Sequence, residues 1–221
     1  MKRTIITTAD GSKTIQLEGW NEQYHSKHGA IQEAYHVFIK NGLMLFKDQE
    51  IAVLEMGFGT GLNALITCIE SKELGQKIEY TGVESFPVVR EEWSVLNYPS
   101  ALDQPHTNNI FQKLHDAPWG TPESIADNFT LTKLQEDFKT VDFSNLFNLI
   151  YYDAFGARVQ PDLWTEAIFK SMFKALKTNG VLVTYSAKGS VRRAMQAVGF
   201  TVERLPGPPG KREMLRASKS I

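Results

Sequence analysis

The residues best suited to chemistry lie around a run of alternating glycines. Glu55 comes two residues before the first of Gly57, Gly59 and Gly61, and a short apolar run precedes it. Glycines at this spacing let the chain turn tightly beneath a ligand. Leu62 stands where a dinucleotide fingerprint has a glycine, and an acid so near the loop disfavours a pyrophosphate. We therefore expect a ligand with a cationic end, the alternative being a glycine-rich turn without a ligand.

S-adenosylmethionine fits this loop, because it carries an amino group and a sulfonium and has no phosphate. Glu84 ends the next predicted strand, where an acid can accept hydrogen bonds from both ribose hydroxyls of an adenosine. Asp137 follows the third core strand and could meet the adenine amine. A solvated strand end is the alternative for either acid.

Asp153 is the candidate catalytic residue. It follows the apolar run at 149–152, at the tip of the fourth core strand, and should lie beside the reactive end of the ligand. Methyl transfer requires an aligned neutral nucleophile, and a carboxylate can orient an amine and take its proton. Enzymes that methylate conjugated base amines often have a Pro-Pro-aromatic sequence after this position, whereas Ala154 and Phe155 follow here. This favours an aliphatic amine; the alternative is that Asp153 caps a loop.

Basic residues near the C-terminus predict a surface for phosphates. The formal net charge of the chain is −1, so a polyanion must be held by a local patch. Charge pairs on an ordinary solvated face are the alternative. The basic residues assigned to the substrate are Lys188, Arg192, Arg193, Lys211 and Arg212.

Strand and helix patterns alternate from residue 51 onward, which predicts an α/β fold. It is a Rossmann-like, mainly parallel seven-stranded sheet with helices on both faces, and an N-terminal hairpin and helix precede it. We expect residues 1–48 to line the substrate pocket of the same domain as the 49–221 core. The predicted strands are 51–55, 78–84, 130–134, 147–153, 180–185, 201–204 and 213–217. Predicted helices follow the glycine loop and cover 88–96, 162–176 and 191–198.

Composition limits the remaining possibilities. A length of 221 residues suits one domain, and a single cysteine, Cys68, cannot form an internal disulfide or a cysteine zinc site. We expect no metal, no signal peptide and no membrane span, and hence a cytoplasmic protein. The irregular segment 97–128 is interpreted as an insertion covering the site or as a solvated crossover.

Several motifs together resemble one family, the methyltransferase domain of the bacterial enzyme that completes 5-methylaminomethyl-2-thiouridine at the tRNA wobble position. Nearly the whole chain takes part in the resemblance. The motifs are 55–63, 153–155 with 161–165, 185–189 with 191–193, and 210–215, with Tyr24, Ser26, Gly29, Glu33 and 37–38 upstream.

The resemblance implies S-adenosylmethionine as cofactor and the primary amine of 5-aminomethyl-2-thiouridine as methyl acceptor. Asp153 would lie beside the amine, and the basic residues would meet the tRNA anticodon stem-loop. The residues that the resemblance implies for the cofactor are Glu55, Gly57, Gly59, Gly61 and Glu84. We assign Asn63, Ser85 and Asp137 to the same cofactor site. The residues that the resemblance implies for the nucleoside are Tyr24 and Glu33, and we assign Phe155 to the substrate site as well.

The chain departs from the family pattern in two ways. Many members carry a fused flavin oxidase, and this sequence ends at Ile221, so we expect a stand-alone form that relies on a separate oxidase or another enzyme for the aminomethyl intermediate. Ala157 also stands where many members have proline. Two alternative functions stay open: methylation of a small-molecule or protein amine, and a non-catalytic adenosine-binding module.

Overall fold

The computed structural model describes residues 2–220. Its strands are β1 Arg3–Thr7, β2 Lys13–Leu17, β3 Glu22–Gln23, β4 Glu50–Met56, β5 Lys77–Val83, β6 Pro122–Ala126, β7 Phe129–Leu134, β8 Phe147–Tyr152, β9 Leu176–Thr184, β10 Thr201–Pro206 and β11 Glu213–Ser218. Its α-helices are α1 Ala30–Ala34, α2 Leu62–Glu73, α3 Arg90–Trp93, α4 Tyr98–Leu102, α5 Thr107–Asp116, α6 Glu166–Ala175 and α7 Gly189–Ala197. A π-helical segment, Tyr35–Lys40, continues α1, and 3₁₀ turns lie at Leu43–Phe46 and Pro161–Trp164.

The central sheet has the order β10-β11-β9-β8-β4-β5-β7-β6. The strands from β9 to β7 in this order run parallel, and β11, β10 and β6 join antiparallel. The predicted α/β class with a mainly parallel sheet is therefore confirmed. Within residues 2–220, no helix is both long and apolar enough to cross a membrane.

The number of strands in the central sheet was predicted wrongly. It has eight strands in the described part of the chain, because β6 adds an antiparallel edge strand beside β7. Three of the five residues in β6 are exposed, so no alternation of apolar and polar residues marks it. Pro122 opens the strand, and proline is tolerated at such an edge.

Both interpretations of segment 97–128 are also wrong. It contains α4, α5 and β6, and the apolar side chains Phe111 and Leu114 of α5 are buried in the same core cluster as Leu65 of α2. The helices of the segment thus pack in one helical layer and β6 extends the sheet, so the segment is neither a solvated crossover nor a cover for the cavity described below.

Helices cover both faces of the sheet, as expected. On one face, α2, α5 and the N-terminal helix bury Leu65, Leu114 and Phe38. On the other face, α6 and α7 bury Phe169 and Met195. The central strand β4 is buried at nearly every position, which is typical of a parallel strand covered on both sides.

The register of three central strands fixes where the site forms. Met56, the last residue of β4, pairs with Val83 at the end of β5 and with Tyr152 at the end of β8. The residues that follow these strands, Gly57, Glu84 and Asp153, are therefore brought to one edge of the sheet. This is the edge at which ligands bind in open α/β sheets.

The predicted N-terminal hairpin is confirmed: β1 and β2 pair antiparallel, with Arg3 opposite Leu17. Residues between β2 and α1 then pass in front of the carboxyl edge of the central sheet, where Tyr24 and His25 line its cavity. The division of the chain at residue 48 stays a prediction.

Candidate active site

A large cavity of about 1230 Å³ opens at this edge of the sheet. It lies between the glycine loop, the residues after β5 and β8, and the N-terminal segment. The predicted site residues that line it are Tyr24, Glu33, Gly57, Gly59, Glu84, Ser85, Asp137, Asp153, Phe155, Lys188 and Lys211. The predicted site residues that do not line it are Glu55, Gly61, Asn63, Arg192, Arg193 and Arg212.

The glycine loop forms part of the cavity floor, and its conformation leaves no space for side chains at Gly57 and Gly59. Gly57 has φ +103°, and a Cβ there would lie 2.7 Å from the carbonyl oxygen of Asp153. A Cβ on Gly59, with φ +50°, would lie 3.0 Å from the ring of Tyr24. Glycine is therefore required here both for backbone conformation and for close approach.

Glu84 holds the glycine loop from the neighbouring strand end. One carboxylate oxygen accepts a hydrogen bond of 2.9 Å from the backbone N–H of Gly59, and the other accepts one of 2.9 Å from Phe86. The side chain is 9% exposed, and burial raises its pKa while the backbone donors oppose the rise. An acid is thus presented to the cavity beside the glycine loop.

Glu55 lies beneath the cavity instead of lining it, and its contact with a cationic ligand stays a prediction. Its side chain is fully buried and accepts hydrogen bonds of 2.9 Å from Asn63 and 2.8 Å from the Tyr80 hydroxyl. Alternation along β4 points Glu55 to the same face as Val53, which α2 covers. Burial raises the pKa of Glu55 well above its usual range.

Asn63 connects Glu55 to the cavity. Its Nδ2 donates to Glu55 Oε1 and to Asp153 Oδ2, each at 2.9 Å. The amide oxygen is buried without a hydrogen-bond partner among the described residues. The orientation of the amide follows from the chemistry, because an amide oxygen in place of Nδ2 would face two carboxyl groups. Asn63 thus supports Asp153 from behind.

Asp153 lies directly after β8, and its backbone N–H donates to the Met56 carbonyl at 3.0 Å. Burial and the negative charge of Glu33 raise the pKa of Asp153 to about 7, whereas the Asn63 hydrogen bond and the positive charge of Lys211 oppose the rise. A carboxyl group with a pKa near neutrality can accept a proton and release it again at working pH.

Three aromatic side chains form a group at the cavity wall near Asp153. Phe155 lies edge-on to Tyr24 at 5.0 Å and to Trp20 at 5.8 Å, measured between ring centroids. Trp20 was missed in the sequence, because it lies between β2 and β3 with no periodic pattern around it. This aromatic group could hold a planar ring by stacking.

Charged side chains of the cavity are largely paired with each other. Four of its basic residues each form a salt bridge with an acid that also lines the cavity. These pairs are Arg3–Glu92, Lys139–Asp162, Arg158–Glu22 and Lys211–Glu33. By contrast, Glu84, Asp137 and Asp153 form no salt bridge within residues 2–220.

The remaining predicted cofactor residues are polar groups at the cavity rim. The Ser85 hydroxyl donates to the Glu136 carbonyl at 2.9 Å, and Asp137 accepts from the Lys139 backbone N–H at 2.9 Å.

His25, which the sequence analysis missed, connects the N-terminal segment to the glycine loop. Its Nε2 lies 2.6 Å from the Thr60 hydroxyl. Burial lowers the pKa of His25 to about 4, so this ring is neutral.

The predicted basic surface is only partly at the cavity. Lys188 and Lys211 line it, whereas Arg192 and Arg193 lie on α7 and Arg212 lies just before β11. Arg193 and Arg212 are exposed. The structure therefore separates Lys211, which is paired inside the cavity, from the exposed arginines outside it.

The fold and the arrangement of this site are similar to those of S-adenosyl-L-methionine-dependent methyltransferases. The glycine loop and Glu84 fit S-adenosyl-L-methionine. The loop has no side chains at its glycines, so a ligand can approach the backbone closely, and the neighbouring carboxylate can accept hydrogen bonds from ribose hydroxyls. Residues 120–220 match a family model described as S-adenosyl-L-methionine-dependent methyltransferase.

The chain is homologous to the tRNA 5-methylaminomethyl-2-thiouridine biosynthesis bifunctional protein MnmC. It is 30% identical to the proteins of Burkholderia pseudomallei and Burkholderia mallei, over 96% of this chain and 35% of theirs. The chain thus spans about a third of the length of these relatives. The resemblance inferred from the motifs is confirmed.

Solved structures agree with this relationship. MNMC2 from Aquifex aeolicus has a TM-score of 0.80 and 25% sequence identity, over 100% of this chain and 71% of that chain. Spermidine synthase from Thermotoga maritima has a TM-score of 0.62 at 16% identity, over 99% of this chain and 69% of that chain. The second likeness shows the fold alone.

Proposed function

We propose that this methyltransferase transfers a methyl group to the primary amine of 5-aminomethyl-2-thiouridine at the wobble position of tRNA. The observation that carries the proposal is the position of Asp153, which contacts Gly57 of the glycine loop and lines the same cavity as the aromatic group of Trp20, Tyr24 and Phe155. The names of the homologous bifunctional proteins support the choice of nucleoside.

The residues of the cavity suit distinct parts of this reaction. When bound, S-adenosyl-L-methionine supplies an electrophilic methyl group. Gly57, Gly59 and Glu84 would hold it, with Ser85 and Asp137 at the rim. We assign the support of Asp153, rather than direct cofactor contact, to Glu55 and Asn63.

Asp153 would orient the amine and take its proton. A primary alkylamine is mostly protonated at neutral pH and must lose a proton before its lone pair can attack. Because the pKa of Asp153 is about 7, this carboxylate is a suitable acceptor. The aromatic group would hold the thiouracil ring by stacking, which fixes the distance between the amine and Asp153.

Residues outside the cavity would bind the rest of the tRNA. Arg193 and Arg212 are exposed, and Lys188 lies at the cavity edge, so they could meet phosphates of the anticodon stem-loop. This substrate would place the enzyme in the cytoplasm. We also propose that residues 1–48 form part of the nucleoside pocket and that a flavin oxidase supplies the aminomethyl group.

The direct test is a nucleoside assay. The protein is incubated with S-adenosyl-L-methionine and tRNA that bears 5-aminomethyl-2-thiouridine, and the digested nucleosides are analysed by mass spectrometry. We expect the wobble nucleoside to gain one methyl group, and we expect Asp153→Asn to lose this activity while keeping its affinity for the cofactor. Unchanged nucleosides, in a sample shown by calorimetry to bind the cofactor, would reject the substrate.

A further inference from the structure

Salt bridges divide the acids of the cavity into two groups. Glu22, Glu33, Glu92 and Asp162 each have a cation from the cavity wall as partner. Glu84, Asp137 and Asp153 instead accept hydrogen bonds from amide groups. The second group is the one whose positions suit ribose, adenine and amine groups. The ion pairs thus remove competing acids from a cavity that takes up a cationic ligand.

The pair nearest the proposed chemistry is Lys211–Glu33. The Lys211 ammonium lies 2.5 Å from Glu33 Oε1 and 3.8 Å from the centroid of the Tyr185 ring. Glu33 Oε2 accepts a hydrogen bond of 2.8 Å from the backbone N–H of Ser26. Both oxygens of Glu33 therefore have donors. The ammonium is held on its other side by an aromatic face, an arrangement that favours a cation.

These contacts are built by distant parts of the chain. Glu33 belongs to α1, and Lys211 to the loop between β10 and β11, 178 positions later. The Glu33 side chain is 10% exposed and that of Lys211 is 32% exposed, so the pair is screened far less than one on the outer surface. Asp153 lies in the same cavity and is sensitive to the charges of both residues.

Within residues 2–220, the other groups around Asp153 contribute no second cation. Its carboxylate accepts from Asn63, which in turn contacts Glu55, and Tyr185 donates to the carbonyl of the next residue, Ala154, at 2.8 Å. The titratable and charged groups around Asp153 are Glu55 behind Asn63, Tyr80 beside Glu55, Tyr185 after β9, Glu33 from α1 and Lys211 from the β10–β11 loop.

We propose that Glu33 and Lys211 are positioning residues that form a charge-matched pair and leave Asp153 as the acid that receives the amine. Lys211 neutralises Glu33, so the incoming ammonium meets one free carboxylate there instead of two. The part of this inference that concerns the amine rests on the proposed function. The electrostatic part concerns the protein alone and can be tested without a substrate.

The test is a carboxyl titration of the ligand-free 221-residue chain. Aspartate labelled with ¹³C at the side-chain carboxyl is followed by NMR against pH, and Asp153→Asn identifies the resonance. Lys211→Met should weaken the acidity of Asp153, and Glu33→Gln should strengthen it, each by about three- to tenfold in the dissociation constant. The double variant should lie near the wild type, because it removes both charges.

Controls separate charge from structure. Lys211→Arg keeps the cation and should leave the titration of Asp153 close to that of the wild type, and Arg212→Met removes an exposed charge from the same loop and should do the same. Thermal unfolding by circular dichroism reports whether each variant is folded. If Lys211→Met does not fold, the effect of removing the cation is obtained by comparing Glu33→Gln with the double variant. The acidity of Asp153 should be weaker in the double variant than in Glu33→Gln.

Shifts of the same sign in the two single variants, or no shift in folded protein, would overturn the proposal. Failure of the nucleoside assay would leave the titration unaffected, so the two proposals fail separately. If the nucleoside is a substrate, Lys211→Met should also move the acidic limb of the kcat/KM profile to higher pH. A purely structural role would lower activity without moving that limb.

Discussion

The side-chain amide of Asn63 donates a hydrogen bond of 2.9 Å to Asp153. The same nitrogen donates to Glu55, which is fully buried. One residue of α2 therefore joins a carboxyl group inside the protein to one that faces the cavity. Its position, two residues after the last glycine of the loop, couples the orientation of Asp153 to the start of the helix.

We expect Asn63→Ala to destabilise the protein by about 1–3 kcal/mol, because the fully buried carboxyl group of Glu55 and the half-buried one of Asp153 lose a donor. The pKa of Asp153 should rise further, since the hydrogen bond that the variant lacks lowers it. Urea unfolding measures the first effect, and the pH dependence of methylation measures the second. Asn128→Ala is the control, because Asn128 donates to Ser71 and Gln76 away from the cavity. An equal change in the pH dependence of methylation in both variants would contradict the inference that the Asn63 hydrogen bond lowers the pKa of Asp153.

Gly57→Ala should weaken cofactor binding by about tenfold or more, which corresponds to about 1.4 kcal/mol. The added Cβ would lie 2.7 Å from the Asp153 carbonyl oxygen, so either the loop or the turn after β8 must move. Gly120→Ala is a matched control, because its φ is +80° and nothing lies within 4 Å of its Cβ. Titration calorimetry with the cofactor should distinguish the two, and equal affinities would show that the close approach has no consequence.

The positions of Glu84 and Asp153 could be predicted from the sequence because they depend on local information. A buried apolar run predicts a parallel strand, and the residue after it lies at the ligand edge whatever its neighbours are. The burial of Glu55 could not be predicted in this way, because the face of β4 to which it points depends on which face α2 covers. Tyr80 and Asn63, which complete its surroundings, come from two other elements.

Contacts between distant segments could not be predicted in the same way. The salt bridge between Glu33 and Lys211 depends on how the N-terminal segment crosses the sheet edge, and no periodic signal encodes that path. Trp20 lies in an irregular turn for the same reason. The edge strand β6 was missed because its residues are mostly exposed, so its only evidence is backbone pairing with β7.

Glu84→Gln should lower cofactor affinity by about 10- to 100-fold, since hydrogen bonds to a charged acceptor contribute about 1.5–3 kcal/mol. The glycine loop should also loosen, because Gly59 loses a carboxylate acceptor. Calorimetry gives the affinity, and amide hydrogen exchange at Gly59 reports the loop. The control is Glu79→Gln, an exposed glutamate within β5, the strand that Glu84 follows. Unchanged affinity in Glu84→Gln would remove Glu84 from the binding site.

Arg193→Ala should weaken tRNA binding and reduce its salt dependence. Removing one cation that binds a phosphate lowers the slope of log affinity against log salt by about one. Arg193 is exposed on α7, so protein stability should change little. Arg204→Ala is the comparison, because Arg204 is also exposed but lies on the outer strand β10. Filter binding at several salt concentrations measures the slope of log affinity against log salt for the wild type and the two variants. Equal slopes in these three proteins would mean that Arg193 does not contact a tRNA phosphate.

Asp153→Asn should abolish methylation and at the same time stabilise the protein at neutral pH. The folded pKa of Asp153 is about 7, above its ordinary value of 3.8, so the folded state binds more protons than the unfolded state between these values. The contribution of Asp153 to stability therefore falls as pH rises through that window and is constant above it. The advantage of Asp153→Asn in melting temperature should be larger at about pH 8 than at about pH 5. Asp127→Asn, at an exposed aspartate, should show no such trend, and a pH-independent difference for Asp153→Asn would mean that Asp153 is already ionised across the range.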